Sequence, residues 1–240
     1  MSTADASEIA TITGFKQAAA DSAVAQLEHG MVVGLGSGTT ATLAIAAIGR
    51  RVQAGLRIIG IPTSEKTAEQ ARRLNIPLST LEEHLAVDVT VDGADEVEVG
   101  TLNLIKGGGG NLLREKIVAV ASTRLIIVAD ERKIVVELGS RSAVPVEVTP
   151  FGWKTTAERL EQLGGHPTLR LRPDGQAFLT DGGHYILDCA FGPIGSPHSL
   201  QAELDGVVGV VEHGLFVGIA CQAVVGGPAG VRIMDRHSHL

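Results

Sequence analysis

The sequence predicts an α/β fold: a Rossmann-like parallel-sheet domain with a second, smaller ferredoxin-like α+β domain. Three observations carry this reading. Short β-branched runs alternate with helical stretches over the first half of the chain, the rhythm of a parallel sheet covered on both faces. Two glycine-rich turns, residues 34–38 and 107–110, each stand between an apolar run and a helix. Beyond residue 139 the order becomes β-α-β-β-α-β, the split arrangement of a sheet with both helices on one face. The expected boundaries are residues 1–138 plus 218–240 for the large domain and 139–217 for the small one.

Taken in order, residues 1–11 read as frayed, and the first helix is expected to begin after Thr13 or Gly14 and end before Gly30. Met31, Val32 and Val33 form a short buried strand that runs into GLGSGTT, residues 34–40, and then a helix. Free amides at a helix N-terminus point at an anion, and Ser37, Thr39 and Thr40 add hydroxyls. A dinucleotide fingerprint is the weaker reading. Thr39 stands where the last glycine belongs, and no acidic residue ends the next strand, residues 57–61. Thr63 or Ser64 opens the helix that follows.

The richest stretch is residues 88–121. Val87, Val89 and Val91 make a strand that Gly93 ends, with Asp92 and Asp95 at its tip. Lys106 then leads into four consecutive glycines, which contribute no packing and lose the most entropy on folding, so the backbone there meets something closely. A helix follows, with Leu112, Leu113, Lys116, Ile117 and Val120 along one side and Glu115 in its first or second turn. Carboxylates and an ammonium thus converge on strand and helix ends, where open α/β sheets place their sites. Glu96 and Glu98 read as solvated. Residues 124–130 form another buried strand, and Lys133 beyond it either reaches a phosphate or decorates a turn. A closing strand at CQAVVGG returns to the first domain.

Composition bounds the partners. A net charge of −7 argues against a nucleic-acid or anionic-membrane surface, although local amides can still hold a phosphate. Val, Ile, Leu and Ala must fill the core, because aromatics make up only 3%. Cys189 and Cys221 read as buried thiols, and His237 and His239 as a solvated tail; no histidine shows metal-ligand spacing. With no signal sequence and no apolar span of about 20 residues, a cytoplasmic location is expected.

These residues resemble the type A ribose-5-phosphate isomerases. GLGSGTT, TSEKT, DVTVDGADEVE, LIKGGGGNLLREK, VADERK, PVEV and GLF occur in that family's order and spacing, over residues 16–234. Asn111 and Leu112 depart from it, standing where the family carries small residues. The resemblance implies a Rossmann-like domain plus a small α/β domain, no metal or cofactor, and a homodimer or homotetramer. It also implies interconversion of D-ribose 5-phosphate and D-ribulose 5-phosphate through an enediolate, in the non-oxidative pentose phosphate pathway. By position, Glu115 matches the family's general base and Asp92, Asp95 and Lys106 its other catalytic groups. Ser37, Gly38, Thr39 and Thr40, helped by Lys16, Lys106 and Lys133, match its phosphate contacts, with Gly107 and Gly108 also against the substrate. The chemistry needs one carboxylate for the carbon-bound proton, for which Glu115 is expected, and another for hydroxyl protons, for which Asp92 is expected.

Two other readings compete. A phosphosugar-sensing regulator domain of the same fold would bind without turnover, and would need a DNA-binding segment and an eroded acid–base set. An amino-sugar-phosphate deaminase would carry a histidine near its acid, and none falls within residues 85–165; a CoA transferase is the third member of that comparison.

Overall fold

Apolar residues on both faces of the central strands force a sheet buried between two layers. The computed structural model describes residues 3–236. In chain order, α1 (Thr3–Val24), β1 (Val32–Leu35), α2 (Thr39–Gln53), β2 (Ile59–Pro62), α3 (Glu65–Arg73) and β3 (Val87–Asp92) come first. Next are β4 (Glu96–Glu98), β5 (Leu104–Ile105), α4 (Leu112–Val120), β6 (Ser122–Asp130), a 3₁₀ turn at Glu131–Lys133 and β7 (Ile134–Val135). Then follow β8 (Val144–Val148), α5 (Trp153–Gln162), β9 (His166–Leu169), β10 (Tyr185–Ala190), α6 (Pro197–Asp205) and β11 (Val210–His213). The chain closes with β12 (Leu215–Phe216), β13 (Gln222–Gly227) and β14 (Gly230–Asp235).

The main sheet has the order β14-β13-β6-β3-β1-β2. Its β13, β6, β3, β1 and β2 run parallel, and β14 turns back antiparallel. Alternation along β6 shows how both faces are filled. Ile126 and Val128 pack with Val33, Leu35, Val89 and the α1 and α2 residues Ala23 and Ile45. Leu125 and Ile127 face the other way, into Leu104, Ala119 and Phe216. From β1 the chain steps outward to β2 and then returns across β1 to β3. The crevice outside the carboxyl ends of β1 and β3 is therefore the topological switch point, the place where such sheets bind ligands.

A second sheet, order β11-β8-β10-β9, is antiparallel and carries α5 and α6; it is the ferredoxin-like element expected from the sequence. A third, β12-β5-β4-β7, was not foreseen. The run expected as one final strand divides at Gly214, which lets β11 finish the second sheet and β12 pair with β5 in the third. No helix among the described residues is long and apolar enough to cross a membrane.

Several local expectations are corrected. The first helix begins at Thr3, about ten residues early. Thr13 is no cap: its hydroxyl donates to Ile9 O (2.8 Å), the back-bond of a residue inside a helix. On α4 the inward residues are Leu112, Glu115, Val118 and Ala119, whereas Ile117 and Val120 lie 50% and 68% exposed. Glu96 is fully buried; its carboxylate accepts from the backbone N–H groups of Gly139, Arg141 and Ser142 (2.7, 2.7 and 2.5 Å). Glu98 is half-buried and accepts from Asn103 Nδ2 (2.9 Å). Cys189 is buried but Cys221 only half so. His237 and His239 lie outside the described residues.

The α1 helix reaches the sheet through a close approach. A Cβ at Gly226 of β13 would stand 2.0 Å from Phe15 O, so only glycine admits the helix backbone there. Gly14, one residue earlier, has nothing within 4 Å of its would-be Cβ. Gly226→Ala should therefore destabilise the protein by about 1–3 kcal/mol, the usual cost of overpacking. Gly14→Ala should stabilise it by about 0.5–1 kcal/mol as a mid-helix glycine replacement. Thermal unfolding of the two variants checks this, and melting shifts of equal sign would remove the argument.

Candidate active site

Three chain ends meet at the switch point. The β3 strand delivers Asp92 and the turn after it Asp95; Lys106 follows β5; α4 brings in Glu115 from its first turn. Lys106 is almost wholly buried, with its Nζ 3.0 Å from Asp92 Oδ2 and 3.2 Å from Glu115 Oε2, and it donates to Gly93 O (2.6 Å). The Lys106 ammonium pairs ionically with Glu115 Oε2, and no other donor meets that oxygen among the described residues. Burial pulls the ammonium of Lys106 toward losing its proton, but Asp92 and Glu115 outweigh that and leave it above the ordinary lysine range. Burial pushes the Glu115 carboxyl up to about 8, against the opposing pull of Lys106, with Asp92 adding to the rise.

Asp92 is occupied on both oxygens. Oδ1 accepts from Ser37 N–H (3.0 Å) and Gly93 N–H (2.7 Å), tying the β1 loop to the β3 loop, while Oδ2 faces Lys106. Asp95 instead lines the open cleft, where its Oδ2 accepts from Gly108 N–H (2.7 Å).

The cleft, about 460 Å³ including space open to solvent, is lined by Lys16, Ser37, Gly38, Thr39, Thr40, Asp95, Lys106, Glu115 and Lys133, with the glycine turn. Every residue assigned from the sequence lines it except Asp92, which lies beneath. At the α2 end, Gly38 is the cap residue with no side-chain cap bond, leaving the first amides of the helix open to the cleft. Lys16 Nζ donates to Thr39 Oγ1 (3.3 Å) and stands 3.8 Å from Asp130 Oδ2.

Ser37, which lines the cleft, also anchors the loop from below. Its hydroxyl is held by Thr63 Oγ1 (2.7 Å), Ser64 Oγ (3.0 Å) and Thr67 Oγ1 (3.2 Å), a buried hydroxyl cluster beneath the loop. Thr63 and Ser64 were legible only as helix openers, and Ser64 does cap α3 by accepting from Thr67 N–H (3.1 Å). In the glycine turn, Gly107 and Gly110 have φ of 103° and 80°, and a Cβ on Gly108 would meet Asp95 at 2.7 Å. Gly109 meets no such barrier; its N–H has no protein acceptor among the described residues, and the residue lines the cleft. The Gly108 amide is taken by Asp95, while those of Gly107 and Gly109 have no protein acceptor among the described residues.

The family model of ribose 5-phosphate isomerase A (phosphoriboisomerase A) matches residues 59–230. A ribose-5-phosphate isomerase A of Synechococcus sp. is 56% identical over 94% of this chain and 99% of its own length. The chain belongs to the ribose 5-phosphate isomerase A family. Among relatives of this family, the Gloeobacter violaceus protein is 58% identical over 91% of this chain and 95% of its own length. The solved isomerase of Methanocaldococcus jannaschii superposes with a TM-score of 0.90 at 38% identity, covering 93% of this chain and 99% of that one. A family structure solved in complex with phospho-erythronic acid gives the same TM-score at 37% identity, covering 94% of this chain and 99% of that one.

One other acidic group comes together outside the cleft, which sequence spacing did not reveal. Ligand atoms of Asp205, Glu212 and His213 lie within 4.8 Å of one another. Lys116 already neutralises it, with Nζ 2.5 Å from Glu212 Oε1 and 2.7 Å from His213 O.

The elevated Glu115 pKa has a stability consequence. With about 8 folded against 4.5 ordinarily, the native state keeps a proton that the unfolded chain has released, so stability falls as pH rises through that window. Glu115→Gln removes this dependence. Its melting temperature relative to the parent should climb between pH 5 and pH 8, and a pH-independent gap would mean that the carboxyl titrates in its ordinary range.

Proposed function

We propose that this chain interconverts D-ribose 5-phosphate and D-ribulose 5-phosphate through an enediolate. The observation that carries the reading is Glu115: a buried carboxyl, poised near neutral pH, whose Oε2 meets only a buried ammonium at 3.2 Å, at a cleft with an open helix N-terminus. A module that only bound phosphosugar would gain nothing from desolvating that carboxylate.

The phosphate of the open-chain sugar is held by the first amides of α2, Thr39 and Thr40, with the positive charges of Lys16 and Lys133 beside them. Glu115 takes the proton from C2, and the electron pair of that C–H bond becomes the C1–C2 double bond as charge moves onto O1. Lys106 and the Gly109 amide face the developing oxyanion, fixed in place before the reaction and therefore effective in a desolvated site. A proton passes from O2 to O1, and Glu115 returns its proton to C1, leaving the carbonyl at C2.

The geometry supports a redistribution between the two aspartates. Asp95, open to the cleft, is the group for hydroxyl protons; Asp92, engaged by two amides and Lys106, holds the ammonium and the β1 loop in register. Sequence alone favoured Asp92 for the first task and Asp95 for anchoring substrate hydroxyls.

With ribose 5-phosphate, kcat/KM should rise with pH and level off near the Glu115 pKa of about 8, since the base must be ionised. Glu115→Gln should lower kcat by ~10²–10⁴-fold, the typical worth of a positioned general base, with KM little changed. In deuterated water the parent should exchange solvent deuterium into the sugar and the variant should not. Near-normal exchange by Glu115→Gln would place the base elsewhere. For the phosphate subsite, Thr39→Val removes a hydroxyl donor at the helix start and should raise KM, while an unchanged KM would move the phosphate away from α2.

A further inference from the structure

The glycine turn is oriented from outside the main sheet. Arg170, which follows β9, donates through Nη1 to Gly107 O (2.8 Å) and Gly108 O (3.2 Å). Its other edge is fixed by Asp188 of β10, with Nε 2.9 Å from Oδ2 and Nη2 on Oδ1. The guanidinium lies 5.9 Å over the Phe178 ring, and that ring also closes against Gly110, where a Cβ would stand 2.5 Å from it. The Arg170 backbone N–H is in turn bonded to Ile186 O (2.9 Å).

The consequence follows from peptide geometry. In a planar trans peptide the C=O and the next N–H point in opposite directions. Drawing the Gly107 carbonyl toward Arg170 turns the Gly108 N–H away, and it is found on Asp95 Oδ2 (2.7 Å). Drawing the Gly108 carbonyl the same way turns out the Gly109 N–H, which has no protein acceptor among the described residues and belongs to a residue that lines the cleft. Glycines offer little resistance to either flip; within the turn only the Gly110 N–H holds the Gly107 carbonyl (2.9 Å), and the Gly108 carbonyl has no partner but Arg170 among the described residues. We propose that Arg170, clamped by Asp188, is a positioning residue that sets the two peptide units of the glycine turn, aiming one amide at Asp95 and the next at the oxyanion of the reacting sugar.

This inference rests on the isomerase reading, and the experiment keeps the two apart. Parent, Arg170→Ala, Arg170→Lys and Asp188→Asn are assayed with ribose 5-phosphate. Binding of phospho-erythronic acid, whose carboxylate stands in for the enediolate oxygens, and of inorganic phosphate is measured by calorimetry. Arg170→Ala should lower kcat by about 10- to 100-fold, the scale of a misplaced catalytic group, with KM within a few-fold. Its affinity for phospho-erythronic acid should fall by a similar factor while inorganic phosphate binds as before. Arg170→Lys, which keeps the charge but loses the fork, should not restore the parent rate. A purely structural role would lower the melting temperature and weaken both ligands together, or neither, and either result overturns the proposal. If Arg170→Ala does not fold, Arg170→Lys and Asp188→Asn carry the same comparison. A parent without isomerase activity refutes the functional reading instead, and the split between the two ligands still reports on Arg170.

Discussion

The buried ammonium of Lys106 is the constraint on which the site depends. A cation removed from water must be matched at short range, and the fold supplies Asp92 and the Gly93 carbonyl from the end of β3 and Glu115 from α4. Meeting that demand fixes how β3, the segment after β5, and α4 converge. Lys106 and Glu115 are only nine positions apart in sequence, so the chain must reverse sharply between them. The left-handed backbone at Gly107 and Gly110 makes that reversal, and the site's amides come with it. Neutralisation by Asp92 leaves Glu115 the group that yields: its carboxyl holds a proton more readily than it would in water, which suits a base that must take and return one.

Much of this was legible because ionisable residues at the end of an apolar run stand out. Asp92, Asp95, Lys106 and Glu115 are conspicuous against valine and glycine neighbours, and the βαβ rhythm places them at the carboxyl edge of the sheet. The order of the later elements similarly implied the antiparallel sheet β11-β8-β10-β9. Local pattern failed where a polar residue had a distant partner. Glu96 looks solvated in a stretch rich in carboxylates, yet it caps a turn more than forty residues away. The α4 helix failed for the opposite reason. Its stripe of Leu112, Leu113, Lys116, Ile117 and Val120 does not mark the buried face, because Glu115 faces Lys106 and Ile117 and Val120 are left in solvent.

Long-range polar pairs hold the second sheet to the first, and none has a sequence signature. Asp181, between β9 and β10, accepts from Glu65 N–H at the start of α3 (2.9 Å) and stands 3.4 Å from Arg114 of α4. Lys116, next to the proposed base, grips β11 through Glu212. The small β12-β5-β4-β7 sheet lies between, and Gly214 passes so close to Lys106 that a Cβ there would meet its carbonyl oxygen at 2.2 Å. The α4 helix is thus braced on both sides of Glu115, which favours a fixed carboxylate over a mobile one.

The seating of α1 against Gly226 bears on the order in which the cleft comes into being. Lys16 follows Phe15, the residue whose carbonyl touches Gly226, so its place beside Thr39 depends on a strand more than two hundred residues downstream. A ribosome releases the lysine early and its support nearly last. Nascent chains can assemble β1, β3 and the glycine turn while α1 still lacks its final seat. The seat that holds Lys16 beside Thr39 therefore gains its β13 support only after β13 has emerged and inserted beside β6, late in the synthesis of each molecule.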